Sequence, residues 1–241
     1  MWQYRDGMLH ISNITITLAL AILPAAMPAF AQGDDINPLK GRAEIKSDED
    51  SAASIKLRSG PGDPVAGQEK SQLCQGCHGE YGNSTEPLIP KLAGQYGNYI
   101  AKEVRNYQAG IRSHQIMNAM AGTIDNDQDV ADIAAYFASQ KKMKGEGLAE
   151  YPVGMNIFLH GDLSRMILAC INCHGVNGKG LDPKISVFPV LGGQHKAYLR
   201  RQLMNWRSED RTNSPNGIMN RIASSLTDDE IDSLAGYLSE R

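Results

Sequence analysis

The sequence predicts an all-α protein in which one small helical domain is written twice. Three observations carry this. The chain aligns with itself: Pro90-Lys91-Leu92-Ala93-Gly94-Gln95 matches Pro189-Val190-Leu191-Gly192-Gly193-Gln194, and Tyr99-Ile100 matches Tyr198-Leu199. Apolar residues recur at helical spacing near the end of each copy, at Val130, Ile133, Ala134 and Phe137 and again at Ile231, Leu234, Ala235 and Leu238. No segment shows the strict alternation of a half-buried strand. Two copies are too few for a stacked solenoid, which leaves a tandem duplication.

The elements follow in order. Residues 1–31 read as an export signal, with Arg5 in a short polar start, an apolar run from Ile14 to Leu23, and the A-x-A cleavage site Ala29-Phe30-Ala31. That run is shorter than the ~20 residues a spanning helix needs; an uncleaved N-terminus would instead leave a membrane tether. Residues 32–64, with the charged run Ser47-Asp48-Glu49-Asp50-Ser51, read as a disordered polar leader. An N-terminal domain over 65–140, a linker over 141–153 rich in Lys and Gly, and a C-terminal domain over 154–241 complete the chain. Each domain reads helix, cysteine motif, Gly-rich loop, middle helix, loop, C-terminal helix. The middle helices are expected over 99–108 and 198–206. Capping pairs Asp125 with Gln128 and Thr227 with Glu230 open the last helices, in which Tyr136 and Tyr237 hold the same place.

All four cysteines lie in two Cys-x-x-Cys-His pentapeptides, Cys74-Gln75-Gly76-Cys77-His78 and Cys170-Ile171-Asn172-Cys173-His174. This is the attachment signature of a c-type haem: two thiols form thioethers to one haem edge, and the following imidazole reaches the iron. Two disulfides would use the same cysteines but leave both histidines unexplained. A redox dithiol belongs at a strand-to-helix junction, and none is expected here. A four-cysteine zinc ribbon holds its pairs about 15–20 residues apart, whereas Cys77 and Cys170 stand 93 positions apart (170 − 77). The sequence therefore predicts two covalent haems, one per domain. Aromatic residues are only 6% of the chain, and two buried haems would supply the missing apolar volume.

A methionine sulfur as the second axial ligand raises the reduction potential and suits electron transfer. Met117 precedes Ile124, the apolar residue before the first cap, by seven positions; Met219 precedes Leu226 by the same interval. Met120 is out of that register, and His114, the alternative ligand, has no counterpart near Met219. The expected axial pairs are His78 with Met117 and His174 with Met219. Met143, Met155, Met166 and Met204 are expected to be core fillers, and His160 and His195 surface or packing residues. The carbonyls of Pro90 and Pro189, in matching places after the histidines, either orient the imidazoles or merely end a loop.

The formal charge is −3, from 24 basic and 27 acidic residues. That excludes nucleic acid as the main partner. No G-x-G-x-x-G follows a strand, so no flavin or dinucleotide site is expected.

Together the two haem motifs, the Gln-ended glycine segments with Phe188-Pro189 and Gly193-Gln194-His195, Arg211-Thr212-Asn213 and Asp132-Ile133-Ala134-Ala135-Tyr136-Phe137 resemble the cytochrome c4 family over residues 65–241. The resemblance implies two cytochrome-c-like domains related by a pseudo-twofold, each wrapped around a haem c with His/Met iron. It implies cofactor contacts at Cys74, Cys77, His78 and Met117, and at Cys170, Cys173, His174 and Met219. It also implies a periplasmic electron carrier without catalytic residues, whose partners are redox proteins: a quinol-oxidising donor and a terminal oxidase or another acceptor. The leader is longer than is usual in the family. Two other classes share the layout: the dihaem subunit of a flavoprotein sulfide dehydrogenase, and a ligand-binding or peroxidatic haem protein with an open sixth site.

Overall fold

The computed structural model describes residues 61–182 and 187–241; the signal over 1–31 and all of the leader before residue 61 lie outside the described residues. Helix α1 (Pro64–Lys70) starts where the chemistry allows. Asp63 caps it by accepting from the Val65 amide, and Pro64, which has no N–H to satisfy, takes the first turn. Helix α2 (Gln72–His78) carries the first cysteine motif and ends at Gly79, whose φ of 81° lets the chain leave the helix sharply. Helices α3 (Gly97–Gln108), α4 (Gln115–Ala121) and α5 (Asp127–Ser139) complete the first half.

The second half repeats the plan with α6 (Pro152–His160), α7 (Ile171–His174), α8 (Lys196–Arg207), α9 (Ile218–Ser224) and α10 (Asp228–Ser239). No strand occurs among the described residues; one isolated antiparallel bridge joins Asp162 and Ile167. No described helix is long and apolar enough to cross a membrane.

In each half the first helix crosses the last at a glycine. A Cβ on Gly67 would sit 1.9 Å from the Asp132 carbonyl oxygen of α5, and one on Gly154 would sit 2.2 Å from that of Ser233 in α10. Only glycine lets these backbones approach so closely. The cores follow the periodicity seen in sequence. Ile100, Val130, Ile133, Ala134 and Phe137 pack in half one, and Phe158, Leu199, Ile231, Leu234, Ala235 and Leu238 in half two. A smaller cluster of Tyr96, Met143 and Val190 joins the halves, so the segment after α5 is packed rather than free.

Three expectations need correction. The cap of α5 is Asn126, not Asp125: Asn126 is extended (φ −142°) and its side chain accepts from the Asp129 amide, while Gln128 turns away to donate to Asp132. The capping box at Thr227 and Glu230 forms as expected. The loops that carry Met117 and Met219 are not loops but the short helices α4 and α9. Met155 and Met166 are exposed and fill no core; Met166 sits at a left-handed φ of 58° in a turn.

Candidate functional site

One cavity of about 450 Å³ runs between the halves, and its wall includes Cys77, His78 and Met117 from half one and His174 and Met219 from half two. The two histidines are buried at the ends of α2 and α7. Each is held by the same contact. His78 Nδ1 donates to the Pro90 carbonyl at 2.8 Å and His174 Nδ1 to the Pro189 carbonyl at 2.9 Å. A carbonyl can only accept, so the proton is on Nδ1 and Nε2 keeps its lone pair. Burial lowers both imidazole pKa values and favours the neutral ring. Of the two readings of the prolines, the orienting one matches the geometry.

The cysteines of each motif sit one helical turn apart, and Cys77 lines the cavity. Cys74 packs against the first core and Cys170 against the second, and none of the four is in a disulfide. Burial pushes the Cys170 thiol up to about 11 and raises Cys74 as well. A reactive redox dithiol needs the opposite shift.

The methionines are placed by asparagines that sequence reasoning missed. Directly after Met117, Asn118 Nδ2 donates to the Tyr107 and Arg112 carbonyls at 2.6 and 3.1 Å. Directly after Met219, Asn220 Nδ2 donates to the Trp206 and Arg211 carbonyls, both at 2.8 Å. The repeated Met-Asn pair could have revealed this. It sets Met117 and Met219 in one structural register, whereas Met120 is not among the cavity-lining residues. His114 also lines the cavity, but its Nδ1 accepts the Met117 amide as the cap of α4.

Between the halves lies a buried charge cluster that composition did not predict. The Glu103 carboxylate accepts from Arg112 (2.6 Å), Arg211 (3.2 Å), Asn213 (2.9 Å) and Lys102 (2.7 Å). Gln202, its counterpart in half two, accepts from the same two arginines. Burial alone would push the Glu103 carboxyl up, but Arg211, Arg112 and Lys102 together outweigh it and hold it at about 2. Three cations face one carboxylate here. Two positive charges remain on the wall, and buried charge persists only where it is paired. Two haem propionates would meet that need. With an apolar cavity, two neutral imidazoles, two thioether sulfurs and four thiols, this donor set fits haem c.

Comparison with known proteins agrees. The cytochrome c family pattern matches residues 64–141 and again 165–241. Cytochrome c4 of Azotobacter vinelandii is 38% identical over 76% of this chain and 90% of its own length. The crystal structure of reduced recombinant cytochrome c4 from Pseudomonas stutzeri superposes with a TM-score of 0.68 at 39% identity, covering 74% of this chain and 98% of that one. A protein of Stutzerimonas stutzeri named "Thiosulfate dehydrogenase electron acceptor" is 34% identical over 70% of this chain and 79% of its own. Two tandem cytochrome c domains, each with its own thiol pair, carry two covalently bound haems c.

Proposed function

Because the chain belongs to the cytochrome c4 family of dihaem electron carriers, we propose that it works in the periplasm, taking electrons from a quinol-oxidising complex and delivering them to a terminal oxidase or another acceptor. His78 and Met117 would hold one iron, His174 and Met219 the other. Cys74 with Cys77 and Cys170 with Cys173 would hold the two rings, and Arg112 and Arg211 would pair with propionates. The observation that carries this is the repeated set lining one cavity: a histidine locked through Nδ1 to a proline carbonyl, and a methionine followed by an anchoring asparagine.

Bound haem supplies one-electron exchange between ferric and ferrous iron. The protein's part is to fix the ligands and keep water out. The Nδ1 bonds hold the imidazole planes, so the ligands need not reorganise when the charge changes. A thioether sulfur favours the ferrous state and sets a high potential. Exposed Leu88 and Ile116 flank the cavity in half one and Val187 does so in half two, giving small apolar rims suited to transient redox encounters.

The test is reconstitution of the haem-loaded protein between quinol-oxidising membranes and a terminal oxidase. Reduction by the first and reoxidation by the second are expected; a protein reduced by neither quinol-dependent membranes nor any isolated quinol-oxidising complex contradicts the proposal. A second reading, as the electron acceptor of a sulfur-compound dehydrogenase, draws on the Stutzerimonas stutzeri relative. Faster reduction by a thiosulfate dehydrogenase than by the quinol-oxidising membranes would favour it.

A further inference from the structure

Two buried glutamines, Gln95 and Gln194, reach across to the opposite half of the molecule. The Gln194 carbonyl oxygen accepts from the Lys91 amide at 2.9 Å, and its Nε2 donates to the Lys91 carbonyl at 2.9 Å. The Gln95 oxygen accepts from the Val190 amide at 2.8 Å, and its Nε2 donates to the Val190 carbonyl at 2.8 Å. Lys91 and Val190 are equivalent positions, as are Gln95 and Gln194. Both side chains are almost fully buried, at 5% and 4% exposure.

The peptide that each glutamine grips is the one that orients a histidine. The Pro90 carbonyl and the Lys91 N–H belong to one peptide unit; the carbonyl accepts from His78 Nδ1 and the N–H donates to Gln194. In the other half the Pro189 carbonyl accepts from His174 Nδ1, and the Val190 N–H of the same unit donates to Gln95. Hydrogen bonds in such a chain polarise one another. An acceptor on the N–H pushes electron density toward the carbonyl, which then draws the Nδ1 proton more strongly. The imidazole becomes a better donor through Nε2 and favours the ferric state.

We infer that Gln194 and Gln95 are positioning residues that tune reduction potential across the domain boundary, Gln194 acting on the haem of half one and Gln95 on that of half two. This rests on His78 and His174 being iron ligands. The effect of each glutamine falls on the domain it does not belong to. Removing the Gln194 acceptor raises the potential of the half-one haem, lowering its ferric-to-ferrous ratio at a fixed ambient potential by a factor on the order of two.

The experiment is a redox titration of the haem-loaded wild type, Gln194→Leu and Gln95→Leu, with the two haems distinguished by their hyperfine-shifted NMR signals. Gln194→Leu should shift only the half-one haem upward, and Gln95→Leu only the half-two haem. In reduced protein the His78 Nδ1 proton should move upfield in Gln194→Leu, and that of His174 in Gln95→Leu. Equal shifts of both haems in each variant, a shift confined to the variant's own half, or no shift would overturn the inference. If the leucine variants do not fold, Gln194→Glu keeps an oxygen for the Lys91 amide and should not raise the half-one potential; a rise would be equally fatal. Failure of the ligand assignment is seen separately, as a wild-type spectrum without His/Met character, whereas failure of the glutamine role leaves that spectrum intact and the potentials unmoved.

Discussion

In half one, α5 holds α1 through Asp132, whose carboxylate accepts from the Asp63 amide at 2.8 Å and pairs with Lys70. In half two, α10 does the same for α6 through Ser233, whose hydroxyl accepts from the Gly154 amide at 2.8 Å. The contrast recurs elsewhere. Glu103 stands opposite Gln202 in the shared cluster, Ile89 opposite Phe188, which packs edge-on to His174, and left-handed Gly110 opposite left-handed Glu209. Asn118 Oδ1 accepts the His114 amide, while Asn220 Oδ1 is buried without a hydrogen-bond partner. The groups that set the two histidines and two methionines are repeated and neutral: imidazole, proline carbonyl, thioether and asparagine amide. At two pairs of equivalent supporting positions the group is charged in half one and neutral in half two: Asp132 against Ser233, and Glu103 against Gln202. At these positions charge should contribute more to the stability of half one than of half two.

The largest expected effect lies in the repeated part. Met117→His should lower the half-one potential alone, and Met219→His the half-two potential alone, each by a few tenths of a volt within the roughly 0.8 V that axial ligation spans. Unchanged potentials in a redox titration would remove that methionine as a ligand.

The charged part comes next. Glu103→Ala leaves two buried guanidinium groups without their carboxylate and should cost about 3–5 kcal/mol in denaturant unfolding. Gln202→Ala should cost about 1–3 kcal/mol. The Glu103 carboxyl sits below its ordinary value, at about 2 against 4.5. Its contribution is therefore full above about pH 4.5 and is lost as pH falls toward 2. Glu103→Gln should flatten this limb of the stability profile; an unaltered acid limb would show that the cluster does not couple to folding.

Asp132 behaves alike. Its hydrogen bond from Lys70, then that from the Asp63 amide, holds its carboxyl at about 2. Asp132→Ala should destabilise more than Ser233→Ala, about 1–3 against about 1 kcal/mol in thermal unfolding. Equal losses would erase the distinction between charged and neutral supports.

The smallest pair tests the backbone. Gly110 (φ 69°) and Glu209 (φ 65°) occupy one turn in the left-handed region. A Cβ on Gly110 meets nothing within 4 Å, so Gly110→Ala should cost only the backbone strain, about 1 kcal/mol. Glu209→Gly should gain about 0.5–1 kcal/mol. Chemical denaturation that gives both changes the same sign would contradict this.

Much of this was legible in the sequence because it rests on short-range signals. The Cys-x-x-Cys-His pentapeptides, the middle helices and the Thr227 box each need only a few neighbouring residues. The Asn126 cap was missed because Asp125 and Asn126 are both good caps, and Gln128 bonds Asp132 one turn on within α5 instead of reaching back to a cap at Asp125. Helices α4 and α9 span only seven residues each, too short for periodicity to show. The Gln95 and Gln194 segments were visible as a repeat, yet their partners lie 95 and 103 positions away. The Glu103 cluster likewise joins residues up to 110 positions apart. Met155 and Met166 could not be told from core methionines by type alone, since exposure is set by the fold.

Two equivalent His/Met sites on one cavity, as proposed above, would give two haems of the same ligation type. An optical redox titration of the haem-loaded protein tests this most directly. Two reversible one-electron components, both at clearly positive potentials, are expected. A single component at strongly negative potential, or one haem without His/Met character, would contradict it.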